Sequence, residues 1–399
     1  MTASRPAPIR RFRFNPPQRV AALLLGLFLA QSLWLAVRQP VTGDEFQYAL
    51  CGQQMWQRSA RLDPGVRLGV RNGVLVFRIA GLPLALASLA QNGLRHFHRD
   101  EDRDPPDAAS SPASPSDLRE VNGQVALRLL LRLPFLFVGL LLGGGLWWVA
   151  RRLYGNLGGY MALALYCFSP PMLRASSQPG TGMLAALAVY GGVYTCIGVA
   201  HAMQGPRRKW RPRILLLSAI FALAVTSHWA ALALAALLGT ALMLWVAEGR
   251  RKQILPIVLL ALGGAMVCAW VCCGFSLQTM GLLFTTPARF SWDAAFQFFS
   301  TPASTASALA AAAALLLYLA MPRARYFGNT APLLCALALL PLQLSAVPGI
   351  WATPFLLTFV GGVFADAFEK PRGRWMQAAA GALVLLQAVF CLRSLSGPI

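Results

Sequence analysis

Apolar residues run along this chain in long blocks broken by short polar stretches. Twelve blocks stand out, at 20–37, 73–91, 127–150, 156–173, 180–203, 213–226, 228–247, 254–275, 303–321, 327–347, 350–366 and 375–393. Most approach the roughly 20 residues an α-helix needs to cross a bilayer core of about 30 Å. The pattern predicts an all-α, polytopic integral membrane protein. Gly139 and Gly143 form a GxxxG pair inside one block, a spacing that favours close helix packing. The first block follows five arginines (Arg5, Arg10, Arg11, Arg13, Arg19), and no small-residue cleavage site follows it, so it reads as an uncleaved signal anchor.

Composition narrows this further. Hydrophobic residues make up 57% of the 399 and charged residues 12%, against about 25% charged in soluble domains. A disordered chain, a coiled coil and an ordinary water-soluble enzyme are excluded. Seven of the eight cysteines lie inside apolar runs, with Cys51 in a polar stretch; they read as small buried hydrophobes rather than a disulfide framework.

The net charge of +21, from 35 Lys+Arg and 14 Asp+Glu, changes the count of crossings. The positives cluster between blocks, which records orientation rather than a nucleic-acid partner. If every block crossed, the clusters at 207–213 and 250–252 would face outward, against the positive-inside rule. One block is suspect. The segment 73–91 carries Arg78 mid-run and Pro83, and a charge at a helix centre costs about 2.5–3.5 kcal/mol on insertion scales. With that segment lying on the outer leaflet, about eleven helices cross. Twenty of the 35 positives then face the cytoplasm, with only Glu248, Asp366 and Glu369 beside them. The expected location is a cytoplasmic (inner) membrane, with the N-terminus cytoplasmic and the C-terminus extracytoplasmic.

The resulting organisation is a basic cytoplasmic tail (1–19), a first transmembrane helix (20–37), a long extracytoplasmic loop (38–126), a transmembrane core (127–275), an outer loop (276–302) and C-terminal transmembrane helices (303–399). The long loop holds ten of the fourteen acids, the juxtamembrane element 73–91 and a low-complexity stretch at 99–120.

Candidate chemistry centres on Asp44 and Glu45, seven residues beyond the first block in the string Val41-Thr-Gly-Asp-Glu-Phe-Gln-Tyr48. A carboxylate at the membrane surface can take a proton from an acceptor hydroxyl, help to hold a divalent cation such as Mg or Mn beside a phosphate, or simply be a solvated loop charge. No P-loop, HExxH, CxxC or N-glycosylation sequon is present.

A first span, an Asp-Glu pair and Tyr48 three residues on resemble the opening of the GT-C membrane glycosyltransferases, which include the protein O-mannosyltransferases and the aminoarabinose transferases. The string Arg128-Leu-Leu-Leu-Arg132-Leu-Pro-Phe, the string Ala150-Arg-Arg-Leu-Tyr-Gly155, the block Leu165-Tyr-Cys-Phe-Ser-Pro170-Pro and the Arg-Tyr-Phe string at 325–327 continue that resemblance over residues 20–365. Within the family it is nearest the bacterial branch of RgtA/B/C/D-like, PMT_2-like and ArnT-like proteins. The resemblance implies a polyprenyl-phosphate sugar donor, catalysis on the outer face, a glycan, lipid or protein acceptor, and Asp44 as base with Glu45 beside it. Phosphate contacts would come from Arg58, Arg61, Arg67, Arg71 and Arg78, of which Arg71 and Arg78 could equally anchor to anionic lipid.

The sequence departs from the family at two points. The second outer loop, Arg174-Ala-Ser-Ser-Gln178-Pro-Gly-Thr181-Gly, lacks the usual carboxylate, which leaves metal binding without its second acid. At the turn between the fifth and sixth spans His228 stands where many members carry Lys; it could meet a phosphate if protonated, or be an interfacial histidine. Arg289 and Asp293 either cap the site or form a loop ion pair. Two other classes stay open: a catalytically degenerate subunit of polysaccharide assembly or export, and a secondary transporter, against which the near absence of acids in span centres counts.

Overall fold

The computed structural model describes residues 15–57, 73–95, 122–205, 210–285, 289–301, 304–343, 347, 349–368 and 373–396. Among them the chain is almost all helix, with one two-residue antiparallel pairing of β1 (Arg289–Phe290) with β2 (Leu342–Gln343). The first apolar block is α1 (Pro16–Arg38). Pro16 and Pro17 suit its first turn, where backbone N–H groups have no helical acceptor, and the Asn15 N–H is taken up by Gln18 Oε1 at 2.9 Å.

Two fully described helices lie ahead of the next span. They are α2 (Gly43–Gln57) and α3 (Val74–Arg95). They cross at glycine on glycine: a Cβ on Gly52 would lie 1.8 Å from the Phe77 carbonyl oxygen, and one on Gly81 would lie 2.1 Å from the Gly52 carbonyl carbon. Backbones approach that closely only without side chains between them. Trp56 locks the crossing, donating from Nε1 to the Arg78 carbonyl at 2.9 Å while the Arg78 guanidinium lies 5.3 Å over its ring. The stretch 38–126, read as a loop with one juxtamembrane element, therefore carries a further helix ahead of that element. Cys51, read as a loop cysteine, is buried on it. The expected flexible stretch 99–120 lies outside the described residues.

The blocks at 127–150 and 156–173 appear largely as the two limbs of α4 (Val125–Cys167). Gly155 separates them with φ 74° and ψ −170°, backbone that side-chain-bearing residues avoid. The limbs fold back on each other, for the Tyr166 hydroxyl donates to the Gly139 carbonyl at 2.7 Å and Gly143 packs against the same ring. The rest of the chain forms α5 (Pro170–Ser176), α6 (Thr181–Met203), α7 (Arg211–Ser227), α8 (Trp229–Val246), α9 (Ile254–Cys272), α10 (Leu277–Leu282), α11 (Trp292–Ser300), α12 (Thr305–Ala320), α13 (Phe327–Leu339), α14 (Thr353–Phe368) and α15 (Gly373–Ser396). The span expected at 327–347 is shorter than its apolar run. Its helix ends at Leu339: Pro341 has no N–H to carry the ladder on, and Leu342–Gln343 pair with β1 instead.

This is a polytopic, all-α membrane protein. Among the described residues, six helices are long and apolar enough to cross a bilayer, by length and composition: Pro16–Arg38, Val125–Cys167, Thr181–Met203, Trp229–Val246, Arg251–Cys272 and Trp375–Leu395; four shorter apolar helices accompany them. α6 and α14 form the centre of the core, with most of their side chains buried. α4 also defines two ends. Arg132 and Gly155 are 23 residues apart on one limb, about 35 Å at 1.5 Å per residue. At the Gly155 end, Gly361 packs on Gly158, and the Tyr154 hydroxyl donates to the Gly328 carbonyl at 2.5 Å. The start of α13 and the last turns of α14 thus sit at that end, far from Arg132.

Candidate functional site

The site is built on the start of α2. Thr42 opens the helix: its Oγ1 accepts the Glu45 N–H at 3.3 Å and its carbonyl accepts from Phe46 at 3.1 Å. Asp44 and Glu45 fall in the first turn, where acids suit the positive end of the helix. Their fates then divide. Asp44 is exposed and Glu45 is buried. The Glu45 Oε2 receives Arg132 Nε at 3.0 Å and Nη2 at 2.8 Å.

Arg132 is the residue that organises this end, and it is completely buried. Besides Glu45, its Nη1 donates to the carbonyls of Ala36 at 2.8 Å and Gln39 at 2.7 Å, and its Nη2 to that of Pro40 at 2.8 Å. These carbonyls belong to the last turn of α1 and its exit, where helical acceptors have no intrahelical donor. One guanidinium thus staples α1, α2 and α4. Burial pushes the Glu45 carboxyl above its usual 4.5, and the Arg132 charge and hydrogen bonds oppose that rise. A side chain in such a place keeps its charge only while its partner remains.

The loop that ends α5 and opens α6 reaches the same place. Gln178 Nε2 donates at 3.1 Å to Oε1 of Gln39, the residue whose carbonyl Arg132 also holds. Thr181 is buried at the start of α6. Asn122 clamps the chain on the other side, taking the Val41 N–H on Oδ1 at 2.6 Å. Tyr48 meets Phe77 edge-on at 5.4 Å, so it belongs to the α2–α3 crossing. Arg78 lies on the same crossing, with its Nε buried and without a hydrogen-bond partner. The Arg128 Nε and Trp351 Nε1 are buried in the same state.

His228 stands between α7 and α8. Its Nδ1 accepts the Ala230 N–H at 3.1 Å, which caps α8, and its ring meets Trp351 edge-on at 5.6 Å. Burial lowers its pKa from 6.5. A ring that accepts through Nδ1 in this cap keeps its Nε2–H as a donor. Gly73, at the start of α3, packs against the carbonyls of Thr226 and Ser227 and so brings this turn to the α2–α3 pair.

Arg58, Arg61, Arg67 and Arg71 lie outside the described residues. Arg289 pairs with Gln343 through the backbone of β1 and β2. Asp293 Oδ2 accepts from the Ser291 hydroxyl at 3.2 Å, in the cap of α11. The set brought to one end is therefore Asp44, Glu45, Gln178, Arg78 and His228, together with Arg132 and Asn122, which the sequence reading did not assign to the site. Arg132 carried a legible signal, since an arginine inside an apolar run demands an acidic or carbonyl partner.

A divalent cation does not fit the described residues. Glu45 is engaged by Arg132, the second loop offers the Gln178 amide, and no group of three or more His, Cys, Asp or Glu gathers among the described residues as a metal site would.

No family model and no curated protein sequence matches this chain. Solved structures do. ArnT from Cupriavidus metallidurans in the apo state aligns with TM-score 0.60 and 14% identity, over 92% of this chain and 62% of its own. The same protein bound to undecaprenyl phosphate gives 0.59 and 14%. Both ArnT and the oligosaccharyltransferase AglB from Archaeoglobus fulgidus are GT-C proteins; AglB in its apo form aligns with TM-score 0.59 and 12% identity, over 97% of this chain and 57% of its own. The chain has a GT-C fold. This chain spans about three fifths of the length of the structures it matches. AglB has also been solved with an inhibitory peptide and a dolichol-phosphate.

Proposed function

We propose that this protein is a membrane glycosyltransferase of the ArnT-like branch, moving a sugar from a polyprenyl-phosphate donor to an envelope acceptor on the extracytoplasmic face. The observation that carries the reading is the division of the acidic pair. Arg132 neutralises and fixes Glu45, which leaves Asp44 exposed as a carboxylate on a rigid first turn. Two neighbours support the lipid carrier, since ArnT is seen with undecaprenyl phosphate and AglB with a dolichol-phosphate.

The chemistry follows from these groups. Asp44 accepts the proton of the acceptor hydroxyl as its oxygen attacks the anomeric carbon of the donor sugar. The bond from that carbon to the phosphate oxygen breaks, and the polyprenyl phosphate leaves with the electron pair. Arg78 and Arg128, whose Nε groups have no partner, supply cationic donors for the phosphate oxygens. Glu45 and Arg132 position the turn and do not touch the reacting atoms. The test is transfer in proteoliposomes from a labelled polyprenyl-phosphate sugar by the wild-type chain and by Asp44→Asn. The wild type is expected to transfer and the variant to fail. Equal transfer by both removes Asp44 from the mechanism.

One observation favours the catalytically degenerate subunit as a second reading: an amide, Gln178, stands in the outer loop where the family carries an acid. Wild-type chain that binds the donor but never turns it over would support it.

A further inference from the structure

The end of the bundle opposite Asp44 carries a second surface. α12, α14 and α15 leave between them a groove of about 680 Å³, lined entirely by apolar side chains, among them Leu316, Leu317, Phe364, Met376, Leu383 and Leu386. From Met376 to Leu386 it follows ten residues of α15, a length of about 15 Å, or half of a bilayer core. The groove is therefore one leaflet deep. Trp375, which is 80% exposed, marks its outer limit at the depth where tryptophans meet headgroups.

Two arginines stand at that limit. Pro322–Ala324 form a short 3₁₀ turn after α12, and Arg323 and Arg325 project from it, both exposed. Arg325 folds back over the end of α12, its Nε donating to the Tyr318 carbonyl at 3.2 Å and its Nη2 to that of Leu319. Arg323 Nη2 donates to the Asp366 carbonyl at the end of α14, two residues from Phe364. Each guanidinium is thus tied to an element whose last turns line the groove. The Asp366 carboxylate is held by Asn329 Nδ2, which donates to its Oδ2 at 2.8 Å.

We propose that this is a binding site for an anionic glycerophospholipid of the leaflet opposite Asp44, with one acyl chain in the groove and the phosphate on Arg323 and Arg325. A one-leaflet apolar slot suits an aliphatic chain, and two fixed cations at its mouth select a negative headgroup over a zwitterionic one. The site is separate from the proposed reaction centre and does not depend on the glycosyltransferase reading.

The test is native mass spectrometry of the full, delipidated chain titrated with phosphatidylglycerol, phosphatidylcholine and undecaprenyl phosphate. Phosphatidylglycerol is expected to bind ahead of phosphatidylcholine. The double variant Arg323→Gln/Arg325→Gln is expected to weaken it about tenfold, and Leu383→Trp to block the groove with the arginines intact. Thermal melts identify any variant that misfolds, and the other variant then decides. Equal retention of both lipids by the wild type, or unchanged phosphatidylglycerol binding in both folded variants, overturns the proposal. So does undecaprenyl phosphate displacing phosphatidylglycerol, which would assign the groove to a polyprenyl tail.

Discussion

Adjacent carboxylates acquire different work here through helical phase. Glu45 shares the inner face of α2 with Ala49 and Gly52, while Asp44 turns outward. The string Thr42-Gly-Asp-Glu45 is a capping-box pattern, and it marks the start of α2 to a reader who looks for it. The place of the acidic pair on a first helical turn was therefore legible. Which member is free was not, because that depends on Arg132, a partner 87 residues away. Two outcomes follow at this scale. Asp44→Asn should lower transfer about 10²–10⁴-fold with an unchanged melting curve. Arg132→Met should cost about 3–5 kcal/mol of stability, seen as a lowered melting temperature, because it strands Glu45. His228 adds a pH dependence. Its folded pKa lies below 6.5, so the unfolded chain takes up a proton that the folded chain refuses as pH falls through 6.5. Stability should fall on acidification through that window, and His228→Asn, which keeps a capping side chain, should flatten the slope of melting temperature against pH.

Among the elements, the helix crossings are set by small residues that the apolar pattern alone cannot rank. Twelve blocks could be counted from the sequence, yet nothing in a hydropathy run shows that Gly52 and Gly81 meet, whereas Gly26 and Gly145 have no neighbour within 4 Å of a Cβ. Gly52→Ala should therefore separate α2 from α3, costing about 1–3 kcal/mol by overpacking and speeding proteolysis of this pair. The turn at Gly155 poses a different problem, with open space around it and a backbone closed to other residues. Gly155→Ala should cost about 1–3 kcal/mol through φ alone, read as a drop in melting temperature without loss of the α4 hairpin.

For the whole molecule, charge sorting and packing agree on which elements share an end. The α4 hairpin tip beside Arg151 and Arg152, and the Arg323–Arg325 turn, lie together, while Asp44 and His228 lie with elements at the other end. Reporter fusions should place residue 155 in the cytoplasm and the 228 turn outside; the opposite result would reverse the proposed face of the reaction. The staple at Arg132 also imposes an order on biosynthesis. α1 and α2 leave the ribosome with Glu45 and three carbonyls uncovered, and their common donor arrives only after 87 more residues are made. A nascent chain halted before Arg132 carries an unanswered acid at the membrane surface, a mark by which quality control could tell an unfinished chain from a completed one.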